Sequence, residues 1–173
     1  MVKKSESVED VKKTPKTLLV ARISVFTALS GIGSFITPYP LIPSIAFDSS
    51  PGFFAALYFG VLDGILITGI GHLVTAVIHS FPLGYLHYII AFGMALAGGA
   101  MGLVNKTNKK WGFVPAAATG VAINTALSVV MVPTMGWAAM LTFVAFPLLL
   151  AATLNAIVAV LVYLGVRARS IRA

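Results

Sequence analysis

The chain has 173 residues, 58% of them hydrophobic and 10% charged, with a mean hydropathy of +0.97 and a net charge of +7. So few polar side chains cannot clothe a globule in water, which excludes an ordinary soluble domain and indicates an integral membrane protein. The absence of cysteine excludes disulfides, thiolate metal sites and cysteine nucleophiles, and basic residues placed at the ends of apolar spans argue against a nucleic-acid face.

In chain order, residues 1–16 form a polar, basic tail with Lys3, Lys4, Lys12, Lys13 and Lys16 and almost no apolar pattern, read as disordered or interfacial. The apolar run begins too late and continues too far for a cleaved signal peptide, so it is expected to remain as a first span over about 17–36. Pro38, Pro40 and Pro43 then forbid helix and imply an extended loop carrying Tyr39 and Phe47. Pro51 opens the next helix, where its missing amide proton costs nothing, with Ser50 or Asp48 as the natural cap. From 51 to 78 the chain is apolar except at Gly60, Asp63, Gly64 and His72, and further spans follow at about 85–104, 113–132 and 138–166. The last is long enough to tilt or to start in the interface.

The placement of Lys and Arg decides whether 51–78 is one helix or two. One helix gives five spans, with the N-terminal tail opposite both Lys106, Lys109, Lys110 and Arg167, Arg169, Arg172. A turn near Gly60–Gly64 gives six spans and puts every Lys and Arg on one side, as the positive-inside rule demands. Both termini and the 105–111 loop are then expected in the cytoplasm, and the Pro-rich loop, the HSFPLG turn and the PTMGW turn outside. A second span over 51–62 is only about 18 Å long at 1.5 Å per residue, too short for a hydrocarbon core of about 30 Å. Some of its loop must enter the protein at membrane depth, where irregular backbone is tolerated against a cavity, and a pocket on the outer side is expected.

Each polar residue has a plain and a functional reading. Asp48 suits a helix cap or a ligand acceptor, and Asp63 a solvated turn or the cap of the third helix. His72, midway along a span, is either a functional group or an interhelical hydrogen-bond partner beside the glycines of GIGHL. His79 and His87 bracket the FPLG turn with Tyr85 and Tyr88, as ligand contacts or interface anchors. Asn124 and Asn155 fall near the middle of late spans, as interhelical glue or polar handles in a cavity. Trp137 is read as an interface anchor.

Catalytic arrangements are missing. There is no HExxH spacing for zinc, no Walker lysine, no GxSxG elbow and no carboxylate pair. Internal repeats and embedded ion-coupling charges of a secondary transporter are not evident either. What remains is a small membrane protein that binds something and draws its energy from partners.

Six spans, ARISVFTALSGIGSFI in the first, and FDSSPGFFAALYFG followed by GHL and FPLGYLHY together resemble the substrate-binding S component of energy-coupling factor (ECF) vitamin transporters, most closely the alpha-ribazole group that salvages a cobalamin precursor. The likeness covers about 17–166. It implies an all-α integral membrane fold, a six-helix bundle over 17–166 between the tail 1–16 and a basic tail 167–173, in the plasma membrane. It further implies an outward pocket, a partner coupling protein docked on small residues of helix one (Ala21, Ser24, Ala28, Gly31), and two ATPase subunits that consume the ATP. No enzyme activity, cofactor or metal is expected in this chain itself. For an aromatic base joined to a sugar, Phe47, Phe81, Tyr85 and Met94 are expected as apolar walls, and Asp48, His79, His87 and Asn124 as polar contacts. Other vitamins (cobalamin, biotin, riboflavin, a queuosine precursor) and a small membrane enzyme are the alternatives.

Overall fold

The structure, a computed structural model, describes residues 15–37 and 45–170. The basic tail before Pro15, the Pro-rich segment with Tyr39, and Arg172 lie outside the described residues. Among those described the chain is all helical: α1 (Lys16–Gly33), α2 (Ser50–Tyr58), α3 (Val61–Ile78), α4 (Leu86–Asn105), α5 (Phe113–Ala126), a 3₁₀ turn (Leu127–Met131), α6 (Val132–Met140), a π turn (Leu141–Ala145) and α7 (Phe146–Ser170).

Local chemistry accounts for the breaks. Pro51 sits in the first turn of α2, where a missing amide proton is harmless. The chain turns between α2 and α3 at Gly60, whose φ of 108° is open to glycine at little cost. The break falls before Asp63, so Asp63 lies in the first turn of α3 and is not the solvated turn residue the sequence suggested. It is buried, with Arg22 of α1 at 3.8 Å, and the Arg22 guanidinium lies 4.2 Å from the centre of the Phe59 ring.

Four stretches are long and apolar enough to cross a membrane: Lys16–Gly33, Val61–Ile78, Leu86–Asn105 and Phe113–Arg169. The last holds 57 residues, which as a straight helix would reach roughly 85 Å, nearly three hydrocarbon thicknesses. It is not straight. Gly136 takes φ 76°, ψ 170°, and α5 packs alongside α7, so the chain doubles back between them.

The bundle is organised around α2, whose Phe53, Phe54, Ala55, Ala56 and Leu57 are all buried. Against them lie Met94 and Met101 of α4, Ala116 of α5 and Ala156 and Ala159 of α7, and Phe26 of α1 stacks on Phe54 at 5.5 Å. The outside is the reverse of a soluble protein: Phe92, Phe143, Trp137 and Leu161 are more than half exposed, as suits a lipid-facing surface.

Helices α3 and α4 pack most extensively, and glycine is what lets them. A Cβ on Gly98 would fall on the Gly64 carbonyl and on the Thr68 hydroxyl, and one on Gly64 would meet the Gly98 carbonyl in return. The Thr68 Oγ1 lies 2.7 Å from both the Gly64 and the Met94 carbonyl oxygens, so one hydroxyl stitches the two helices at their closest approach.

Candidate ligand-binding site

At the end of the bundle where the loop enters α2, a cavity opens between that loop and α3, α4, α5 and α7. Its empty space, open mouth included, is about 580 Å³, of which about 50 Å³ is room for the centres of water-sized contents. The polar lining is Asp48, Ser49, His72, Asn124, Ser128 and Asn155; Met94, Leu127, Met131 and Val144 supply apolar walls.

Asn155 holds the cavity's lip in place. Its Oδ1 accepts from the Ser50 backbone N–H at 2.8 Å and from the Ser50 hydroxyl at 2.7 Å. Its Nδ2 donates to the Ala46 carbonyl and the Ala151 carbonyl, both at 2.9 Å. The sequence suggested Ser50 or Asp48 as the cap of α2, but no side chain of the entering loop caps it; the amide of α7 takes that place. On the other side of the loop, the Phe47 N–H donates to the Ile36 carbonyl at 3.0 Å, and Gly33 leaves room for the Phe47 carbonyl that a Cβ would strike.

Asp48 lies in this loop, outside the four spanning stretches, and is buried. Burial pushes its carboxyl up to about 6, against hydrogen bonds from Thr75 and Ser49 that pull it back. The Ser49 hydroxyl donates to Oδ1 at 3.0 Å, and His72 Nδ1 stands 4.0 Å from Oδ2. At neutral pH the carboxylate is the formal charge among the described lining residues, none of which is Lys or Arg.

Of the residues expected from the sequence, Asp48, Met94 and Asn124 line this cavity. Phe47, His79, Phe81, Tyr85 and His87 are not among its lining residues. His79 closes α3 with Nε2 at 3.1 Å from the Ser34 carbonyl. Tyr85 is 74% exposed, and Phe81 is half-buried with its ring centre 5.8 Å from those of His87 and Tyr88. His87, expected at the outer surface, is fully buried behind His72, with its Nδ1 3.1 Å from His72 Nε2. Asp48, His72 and His87 thus run in a line and do not converge on a point where a metal would sit.

His72 and Asn155, left open by the sequence, both line the cavity, as do Ser49 and Ser128. A polar residue in mid-span was the signal for the first two; the serines carry none. On α1, Ala21, Ser24 and Ala28 stand exposed, whereas Gly31 is turned inward against Val74 and Ile78 of α3.

The turn beside the site is strained. Ser80 and Phe81 have φ of 58° and 51°, a region that costs an L-residue about 1–2 kcal/mol and that tends to mark functional loops. Ser80 is exposed, so Ser80→Gly is expected to raise stability by roughly 1 kcal/mol, read as a higher midpoint of thermal unfolding in detergent.

A model of the family described as ECF transporter, substrate-specific component, matches residues 18–167. No curated protein and no solved structure matches the chain.

Proposed function

Because the chain belongs to the family of ECF transporter substrate-specific components, we propose that its cavity binds an uncharged, nucleoside-like micronutrient, alpha-ribazole or a related cobalamin precursor, for ATP-driven import. Members of the family are membrane transport subunits, not enzymes; they bind a small molecule and work with an ECF module. The observation that carries the choice of ligand is the character of the lining: methionine and aliphatic walls for an aromatic base, the Asn124 amide and two serines for hydroxyls and ring nitrogens, and one carboxylate with no Lys or Arg beside it. Such a site disfavours a phosphate or a carboxylate on the ligand, which would sit close to a like charge. That weighs against biotin and against the phosphorylated form of the nucleoside.

We read the bundle as six passes, α1, the short α2, α3, α4, α5 and α7, with both termini in the cytoplasm. In support, the α4–α5 turn and the end of α7 meet where Arg167 donates to the Lys109 carbonyl at 2.7 Å, gathering basic residues at one end. The cavity lies toward the other end, as an importer's outward site should. The exposed Ala21, Ser24 and Ala28 leave a small-residue face on α1 for the coupling protein.

Calorimetry on the purified protein tests the ligand. Alpha-ribazole is expected to bind, and its phosphate to bind at least about tenfold more weakly, a difference of about 1.4 kcal/mol. Asp48→Asn is expected to weaken alpha-ribazole by about 10- to 100-fold, the worth of a hydrogen bond to a charged group. If ligand hydroxyls donate to the carboxylate, affinity falls as pH drops through about 6 and Asp48 takes up its proton. Folding alone runs the other way: the raised value favours the neutral carboxyl, so its stabilising effect is complete below the unfolded value of 3.8 and is lost as pH rises through about 6. Tighter binding of the phosphate would sink the assignment, and ATP-dependent uptake in proteoliposomes with coupling protein and ATPases would separate an importer from an enzyme.

A further inference from the structure

A line of polar groups runs from the 81–84 turn into the cavity wall. The Leu83 N–H points at His87 Nε2, 3.2 Å away; His87 Nδ1 lies 3.1 Å from His72 Nε2; His72 Nδ1 lies 4.0 Å from Asp48 Oδ2. A backbone amide can only donate, so His87 Nε2 must present a lone pair, and the proton of that neutral ring is on Nδ1. That N–H in turn requires a lone pair on His72 Nε2. The proton of His72 is therefore on Nδ1, on the side of Asp48. A second proton on either ring would set two N–H groups against each other or against the Leu83 amide.

We propose that His87 is a positioning residue: itself outside the cavity, it sets the tautomer of His72, so that the wall presents a fixed N–H donor beside the carboxylate acceptor of Asp48. At 4.0 Å the two are too far apart for a direct hydrogen bond. The gap takes one oxygen that accepts from His72 and donates to Asp48, which is the chemistry of an alcohol. A carbonyl or ether oxygen satisfies His72 alone, and a protonated amine satisfies Asp48 alone. The proposal rests on the reading of this cavity as the ligand site, and it narrows the ligand to one that places a hydroxyl, such as that of a sugar, between the two side chains.

Nitrogen-15 NMR of the full chain, labelled at its three histidines and held in lipid nanodiscs at neutral pH, tests the relay without any ligand. His72 and His87 are expected to be neutral with the proton on Nδ1, His79 being assigned by its disappearance in His79→Gln. Either ring protonated on Nε2, or on both nitrogens, overturns the proposal. In His87→Leu, His72 is expected to lose its fixed Nδ1–H state, whereas in His87→Asn, whose amide nitrogen stands where Nδ1 stood, it is expected to keep it. A role of His87 in packing alone would not distinguish these variants, and His72 unchanged in both overturns the proposal. If His87→Leu does not fold, the wild-type and His87→Asn spectra decide. Added alpha-ribazole is expected to shift the His72 Nδ1 signal, and His87→Leu to weaken its binding about tenfold; binding without any change at His72 overturns the hydroxyl contact. If alpha-ribazole does not bind the wild type, the ligand named above falls, while the spectra of the free protein still judge the relay.

Discussion

Asn155→Leu is expected to lower affinity for alpha-ribazole by more than about 100-fold, although the ligand need never touch the lost amide. The substitution keeps the number and branching of side-chain heavy atoms and removes the partner of the Ser50 N–H, the Ser50 hydroxyl and the Ala46 carbonyl at once. A buried donor or acceptor left without a partner costs about 1–3 kcal/mol, and three of them on one short loop exceed what the loop's own packing can offset. The loop therefore has to leave its seat on α7 to regain hydrogen bonds, and Asp48 and Ser49 go with it. Asn155→Asp separates the two halves of the amide: it keeps the acceptor for Ser50 and loses the donors to Ala46 and Ala151. Its loss of affinity is expected to be intermediate. Calorimetry with alpha-ribazole and thermal unfolding of the same samples provide the check; wild-type affinity in Asn155→Leu would show that the loop is held by something else.

Gly98→Val is expected to be the most damaging change to the bundle itself. Overpacking a core by a few methyl groups typically costs about 1–3 kcal/mol because neighbouring side chains give way. Here the added atoms would meet the Gly64 carbonyl, which is main chain, and the Thr68 hydroxyl that joins the helices. The carbonyl cannot rotate aside, and the hydroxyl can do so only by giving up its bond to Met94, so α3 and α4, the most extensively packed pair, must separate. Met94, one turn from Gly98 and part of the cavity wall, moves with α4. The expected readouts are a strongly lowered unfolding midpoint in detergent and loss of the monodisperse peak in size-exclusion chromatography, with Gly98→Ala in between. A Gly98→Val protein that melts with the wild type would mean that the two helices are not in contact there.

Much of this fold could be read from short-range chemistry. Pro51 announces the start of α2, and Gly60 its separation from α3, because each residue imposes a backbone geometry wherever it stands. The distribution of Lys and Arg pointed to the same break by an independent physical rule. His87 shows where such reading stops. As a polar residue beside a turn it looked like a surface group, yet His87, Ala91, Met94 and Met101 recur at helical spacing and are all buried, so the inward face of α4 begins one residue after the helix does. The pattern was in the sequence but only becomes legible once the first residue of α4 is known. Asn155 is different in kind. Its bonds reach Ala46 and Ser50, 109 and 105 residues away in the chain, and no local pattern encodes a partner at that separation. Ser49 and Ser128 are less legible still, since a serine in an apolar chain carries no mark of the wall it will join.

The nine-residue α2 has a mechanical consequence. Its first turn is tethered by Asn155 at the cavity, and near its last turn the Leu57 carbonyl accepts a hydrogen bond of 2.8 Å from Asn105 at the far end of α4. Between those tethers, Ser50 to Leu57, lie roughly 11 Å of helix, clamped on its flanks by buried side chains. A rod fixed at both ends cannot bend out of the way as a loop can. Movement of the cavity's lip is thereby coupled, through one short helix, to the Asn105 end of α4.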